Sequence, residues 1–372
     1  MILGINTIGT RGGGCETVLN SLLRGLENSE YCRSLISHVF VFTLPKNVFN
    51  FTFKSDDGFI ETIYCSRFTD NALIRYAWLN TAFRKRVRNY RCNVILNMSG
   101  VAGSLPVPQA IFLQNSIYFS PEAIGTYFTK DVPFRRKLRK AIEIPLFKYF
   151  LKSSCQKSET LIVQSKIMKS WVERDIDSAV GKVRVVRPAT PLMPARTRSL
   201  PIRKNVLRKK FLYIGNDQPY KNLKIIFDTA RRCLLRKPNW IFCCTTKKPT
   251  NYPKELTKNV VFLGNLEKQE LLKEMENASA LIMPSLVETV GLPMIEAYEF
   301  GLPLVVADRP YAHELCGSAA TYFDPIDYGS LENALEEIGQ NIQKNNQAAI
   351  LNTTSEEVFA ESILRELQTI SN

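Results

Sequence analysis

The chain has 372 residues, 45% hydrophobic and 23% charged, which is enough for two cored domains and too much for one small module. No run approaches the roughly 18 uninterrupted apolar residues of a spanning helix, and with only His38 and His313 a three-histidine zinc site is excluded. The net charge of +14 is uneven: residues 1–190 hold 27 Lys and Arg against 14 Asp and Glu, and the remainder 22 against 21.

The first residues, Met1-Ile2-Leu3-Gly4-Ile5-Asn6, lack the basic patch and longer apolar core of a signal peptide and read as a strand, so export is not expected. Next comes Thr10-Arg11-Gly12-Gly13-Gly14-Cys15-Glu16, leading into a helix marked by Val18, Leu19, Leu22, Leu23 and Leu26. Three glycines there let backbone approach a ligand at a helix N-terminus, although a plain flexible turn has the same composition. The spacing is not that of the Gly-x-Gly-x-x-Gly dinucleotide fingerprint. Further apolar runs at 39–43, 94–97, 110–113, 160–163 and 183–186 read as buried strands with helices between them. Basic clusters stand at Arg84-Lys85-Arg86-Val87-Arg88 and Arg135-Arg136-Lys137-Leu138-Arg139-Lys140. The second opens a stretch with Ile142, Leu146, Phe147, Phe150 and Leu151 at helical spacing, which suits an anionic membrane surface or a solvated face over a core helix. No zinc-finger spacing or aromatic RNA-binding signature accompanies the charge, so nucleic acid is not an expected partner. Nine scattered cysteines without metal-ligand spacing fit reduced thiols in a cytoplasmic protein.

Residues 191–209 are proline-rich, basic and polar and read as a linker, after which the pattern restarts. A strand at 211–215 ends in glycine, and Leu223, Ile226, Phe227, Ala230 and Leu234 mark one face of the helix that follows. The loop between them, Gly215-Asn216-Asp217-Gln218-Pro219-Tyr220-Lys221-Asn222, sets a lysine at a helix start, where it meets a diphosphate as a point charge or is simply a surface lysine. Strands follow at 240–244, 260–263, 280–283, 304–306 and 321–323, and a last helix near 355–369. After the 280–283 run, Pro284 to Gly291 is a loop and Leu292 to Phe300 a helix with Pro293 in its first turn. Glu288 thus sits at a strand's carboxyl edge and Glu296 in the helix, with the free N–H groups of Thr289, Val290, Gly291 and Leu292 between them able to receive an anion.

Four segments, GNDQPYKNL (215–223), ETVGLPMIE (288–296), AYEFGLP (297–303) and FDPID (323–327), together resemble retaining glycosyltransferases of family 4 over about residues 205–340. Over residues 1–200 the glycine loop, the Ser165-Lys166 helix start and Val183-Arg184-Val185-Val186-Arg187-Pro188 fit more loosely. The Pro-Tyr-Lys-Asn and Gln114-Asn115-Ser116 variants look most like bacterial enzymes of O-antigen or surface-polysaccharide synthesis, several of them mannosyltransferases. The resemblance implies an α/β protein of GT-B type, with two Rossmann-like doubly wound domains facing across a cleft. These would be an acceptor-side domain at 1–190 and a nucleotide-sugar domain at 210–354, with a C-terminal helix at 355–372 crossing back to the first.

It also implies roles residue by residue. Lys221, aided by Gly215 and Asn216 of its loop, would hold the donor diphosphate, and Glu288 with the backbone of Thr289, Val290, Gly291 and Leu292 would hold the sugar and its phosphate. Lys221 and Glu288 are the expected catalytic groups. Glu296 would bind the ribose hydroxyls, Gly13 and Gly14 would let the first domain close on the phosphate, and Gln114 and Asn115 would orient sugar or acceptor. The chain departs from the family in three places: Asn216 stands where many members have arginine, Thr289-Val290 replaces Gly-Phe, and Gln114-Asn115 replaces a histidine, which removes a titratable base. The implied chemistry is hexosyl transfer with retention from a GDP- or UDP-sugar to a polyprenyl-diphosphate-linked glycan at the inner face of the membrane. No cofactor is expected, and no metal, since no Asp-x-Asp stands at a strand end; Asp56-Asp57 lies in a polar loop. A non-catalytic nucleotide-sugar or glycan-binding protein and a sugar-nucleotide epimerase are the competing readings.

Overall fold

Runs of Val, Ile, Leu and Phe three to six residues long become parallel strands in two sheets, because a strand covered by helices on both faces has no polar side to present. The computed structural model describes residues 1–10, 13–45, 51, 53, 55–66, 69, 71–190, 209–249, 252–340 and 354–371. The chain divides into two compact units, residues 1–119, 138–191 and 353–372 in the first and 120–137 and 192–352 in the second.

The first unit holds β1 (Ile2–Asn6), β2 (His38–Thr43), β3 (Ile60–Tyr64), β4 (Val94–Asn97), β5 (Gln109–Leu113), β6 (Thr160–Val163) and β7 (Val183–Val185), in the order β3-β2-β1-β4-β5-β6-β7. Strands β4, β5 and β6 are buried along their whole length. Strand β3 was absent from the runs expected from sequence, because an edge strand packs fewer residues: Ile60 and Ile63 are buried while Glu61 and Tyr64 face out. The strand order reverses between the parallel neighbours β1 and β4, and the glycine-rich loop leaves β1 at that switch point. A buried amide chain ties the strands there, with Asn6 Nδ2 donating to Asn97 Oδ1 at 2.9 Å and Asn97 Nδ2 to Gln109 Oε1 at 3.1 Å.

The Glu356–Ser371 helix belongs to this first unit. It buries Phe359, Ala360, Ile363, Leu364 and Leu367 and packs against the Gly13–Asn28 helix, where Arg24 Nη2 meets Glu356 Oε1 at 2.6 Å and Ser29 Oγ donates to Glu361 Oε1 at 2.8 Å.

The second unit holds β8 (Lys209–Tyr213), β9 (Trp240–Cys244), β10 (Val260–Phe262), β11 (Ala280–Met283), β12 (Leu304–Ala307) and β13 (Ala320–Phe323), in the order β10-β9-β8-β11-β12-β13. Its sheet is covered by two apolar layers, one built around Phe211, Phe242 and Ile226 and the other around Leu281, Met294 and Tyr311. Of the linker expected at 191–209, only Lys209 lies within the described residues, and it opens β8.

One division differs from expectation. Residues 120–137 fall inside the first domain read from sequence, yet they pack with the second unit. Tyr127 and Val132 are buried there, and Glu122 pairs with Arg309, which caps the helix after β12. A run from one half of the chain can dock on the other when a few buried contacts outweigh sequence proximity, and no periodicity reports that.

Candidate functional site

Strands β8 and β11 are neighbours, and the strand order reverses between them, so the loops at their carboxyl ends open at the switch point of the sheet. The first loop runs from Ile214 to Asn222 and the second from Pro284 to Gly291. They are stitched together where Leu286 N donates to Tyr220 O at 2.9 Å.

Local chemistry fixes each loop. In the first, Tyr213 Oη donates to Asn216 O at 2.6 Å and Gly215 N to Thr245 Oγ1 at 3.1 Å. Pro219–Lys221 forms a 3-10 turn that ends at Asn222 in the left-handed region, which asparagine tolerates, and Asn222 Nδ2 donates to Pro325 O at 2.8 Å. In the second, Ser285 and Val287 are fully buried and Tyr311 Oη donates to Ser285 O at 2.7 Å. Burial pushes the Tyr311 phenol well above its usual value, so it stays a neutral donor. Gly291 caps the Leu292–Glu299 helix at φ 75°, and a methyl group there would sit 2.2 Å from Met294 Cε. Only glycine fits that corner without strain.

These two loops bring Lys221 and Glu288 together. Lys221 Nζ donates to Glu288 Oε1 at 2.5 Å, and the two side chains keep only 13% and 11% of their exposure. Next to the pair, the N–H groups of Thr289, Val290, Gly291 and Leu292 have no acceptor among the described residues. A helix N-terminus with unspent donors beside an ammonium is suited to a phosphate. Asn216 is exposed on the loop rim, and Gly215 is partly covered beneath it.

Glu296 lies one helix turn further in. Burial pushes its carboxyl above the usual range, opposed by the Lys268 ammonium and reinforced by Glu299. A raised acid is disfavoured as the anion in the fold, so its cost is fully present above the raised value and absent below the unfolded carboxyl value of about 4.3. Glu296→Gln is therefore expected to raise the melting temperature by a few degrees at pH 7.5, with the gain disappearing as the pH approaches about 4. Scanning calorimetry at the two pH values checks this, and an unchanged Tm at pH 7.5 would count against it.

The remaining expected residues lie in the first unit. Gly13 and Gly14 open the Gly13–Asn28 helix at the end of the β1 loop. Gln114 and Asn115 follow β5; the Gln114 Nε2 is buried with no partner among the described residues, and Asn115 Oδ1 accepts from Ile117 N at 3.3 Å. An orphaned amide donor beside a strand end is a place for a ligand hydroxyl.

Three side chains at the site were not singled out from sequence. Gln218 Oε1 accepts both Tyr127 Oη at 3.0 Å and Arg136 Nη2 at 2.7 Å. In the sequence Gln218 is one residue of the 215–222 loop and Arg136 one of a basic run, and nothing in their spacing pairs them.

Residues 201–353 match the family model described as glycosyl transferases group 1. Among curated proteins, the O-antigen chain mannosyltransferase RfbU of Salmonella typhimurium is 27% identical over 203 residues, covering 52% of this chain and 55% of that protein. The chain thus spans about half the length of that relative. Among solved structures, sucrose-phosphate synthase from Thermosynechococcus elongatus superposes with a TM-score of 0.67 at 14% identity, covering 100% of this chain and 95% of the other. WaaG, a glycosyltransferase involved in lipopolysaccharide biosynthesis, gives 0.65 at 14% identity over 100% and 97%. These likenesses show the fold, two Rossmann-like domains of GT-B type.

Proposed function

We propose that this chain, a GT-B protein with a glycosyl transferases group 1 match over residues 201–353, transfers a hexose, mannose first, from a nucleotide diphosphate sugar to a lipid-linked oligosaccharide. The observation that carries the proposal is the Lys221–Glu288 pair beside four unspent N–H groups at the switch point of the second sheet. The similarity to a protein named O-antigen chain mannosyltransferase supports mannose and the surface-polysaccharide acceptor.

In this reading the donor diphosphate lies against Lys221 and the N–H groups of Thr289 to Leu292. Glu288 accepts from a sugar hydroxyl and Glu296 from the ribose. As the bond from the anomeric carbon to the diphosphate oxygen lengthens, its electron pair goes to that oxygen, where the ammonium and N–H groups stabilise it. The acceptor hydroxyl bonds to the same face of the carbon and passes its proton to the departing diphosphate, giving retention without a protein base or a metal. The buried Gln114 amide supports an acceptor- or sugar-binding role for the first unit.

Among the described residues no helix is long and apolar enough to cross a membrane. The Phe134–Lys157 helix nevertheless exposes Leu138, Ile142, Pro145 and Tyr149, spaced along one face, with exposed Lys152, Arg139 and partly exposed Lys148 beside them. An apolar stripe edged by cations suits the anionic inner face of the cytoplasmic membrane.

The test is a transfer assay with GDP-mannose and a panel of GDP- and UDP-sugars, using polyprenyl-diphosphate oligosaccharides in anionic liposomes with EDTA present. An α-linked product from one donor is expected, and Ile142→Glu should lose liposome co-sedimentation while keeping donor hydrolysis in solution. Binding without hydrolysis or transfer would mark a non-catalytic binder, conversion of the donor into an isomeric nucleotide sugar without acceptor an epimerase, and dependence on added manganese would refute metal independence.

A further inference from the structure

The Lys221–Glu288 pair is electrically neutral, and a nucleoside diphosphate carries two to three negative charges at neutral pH. Held by that pair and by N–H dipoles alone, most of the anion's charge would be uncompensated in a partly desolvated site. A further cation on the same loop would answer this.

Residues 120–137 bring one. The Pro121–Thr126 helix packs on the Pro219–Lys221 turn, and Tyr127, 1% exposed, follows it. The Tyr127 and Tyr220 rings stand 6.5 Å apart, and Lys221 Nζ lies 5.6 Å from the Tyr220 centroid. Arg136, half-buried, holds its guanidinium 5.6 Å from the Tyr127 centroid and spends one donor, Nη2, on Gln218 Oε1. The two acids of this segment pair elsewhere, Glu122 with Arg309 and Asp131 with Lys224. Arg136 has no carboxylate partner among the described residues, and its Nε and Nη1 donate to nothing there. Its hydrogen-bond acceptor is a neutral amide, which orients the fork without cancelling its charge.

We propose that Arg136 is a second phosphate-binding cation of the donor site, oriented by Gln218 and Tyr127 and contributed by a segment from the other half of the sequence. The inference rests on the donor-site reading above. A planar guanidinium that spends one Nη2 proton on Gln218 keeps one edge for phosphate oxygens in bidentate fashion, which a lysine in its place does not reproduce.

The test measures Kd by titration calorimetry for GDP and UDP and for the parent nucleosides guanosine and uridine, with wild type, Arg136→Gln and Arg136→Lys. For whichever diphosphate binds the wild type, Arg136→Gln is expected to weaken it about 10- to 100-fold, as loss of a charge-assisted contact does. The nucleoside should be unaffected and Arg136→Lys should restore part of the loss. Equal weakening of nucleoside and diphosphate would show that Arg136 only braces the loop through Gln218, and an unchanged diphosphate Kd would show that it does not reach the phosphate. Either result overturns the proposal. A wild-type protein that binds neither diphosphate would instead overturn the donor-site reading, and this inference with it. Thermal melts of the three proteins confirm that each is folded.

Discussion

Lys221→Ala is expected to lower kcat for hexosyl transfer by about 100- to 1000-fold, the usual consequence of losing one donor to a developing anion, about 2.7–4 kcal/mol. The same substitution should also reduce stability, because Glu288 keeps only 11% of its side-chain exposure and would lose its cation. Breaking a buried pair costs up to about 3–5 kcal/mol, and the figure here lies at or below the lower end because both groups retain some contact with solvent. The single variant therefore mixes chemistry with folding. Lys221→Met combined with Glu288→Gln separates them, since two neutral side chains of similar volume leave no stranded charge. The double variant is expected to melt near the wild-type temperature and to remain as inactive as Lys221→Ala. Recovery of transfer together with recovery of the melting temperature would mean that the pair is a structural strut. Loss of both in the double variant would mean that the charges hold the two loops together.

That this pair forms is only half visible in the sequence. Each residue is legible alone: Lys221 by its place after a strand that ends in glycine, Glu288 by its place between a buried run and a proline-led helix. Their contact spans 67 positions and exists because β8 and β11 lie side by side, a fact of strand order that no local pattern carries. Central strands such as β4, β6, β9 and β11 were found with their ends in place, because strands buried on both faces leave an unbroken apolar run. Strand β3 was missed because one exposed side admits Glu61 and Tyr64 and breaks that signal. Arg136 was hidden for a different reason. Within a run of five cations, composition gives each the same reading, and only the docking of Tyr127 on the Lys221 loop sets this one apart. Glu296 was read as a ribose clamp by resemblance, and its raised carboxyl adds a physical cost to that position which the sequence does not display.

Gly25→Ala is expected to destabilise the first unit by about 2 kcal/mol, against what helix propensity alone would give. Gly25 stands inside the Gly13–Asn28 helix, where alanine is favoured over glycine by about 0.8–1.0 kcal/mol. But a methyl group there would lie 2.0 Å from the Glu356 carbonyl oxygen, 2.5 Å from its carbon and 2.8 Å from Ala360 Cβ. The first two atoms are helix backbone and cannot swing aside, so the Glu356–Ser371 helix must lift as a body. Lifting it loosens Phe359, Ile363, Leu364 and Leu367, all at most 1% exposed. Full burial of each such side chain is worth about 1.5–3 kcal/mol, so losing a third of the contact from four of them exceeds the propensity gain severalfold. Gly25→Val, with two more atoms at the contact and a branched carbon in a helix, should be worse by a further 1–2 kcal/mol or so. Urea unfolding followed by circular dichroism reads the change as a lower midpoint, and hydrogen exchange should show protection lost first in residues 356–371. A Gly25→Ala protein more stable than wild type would mean that propensity decides at this position, and that the C-terminal helix is not seated against Gly25 in solution.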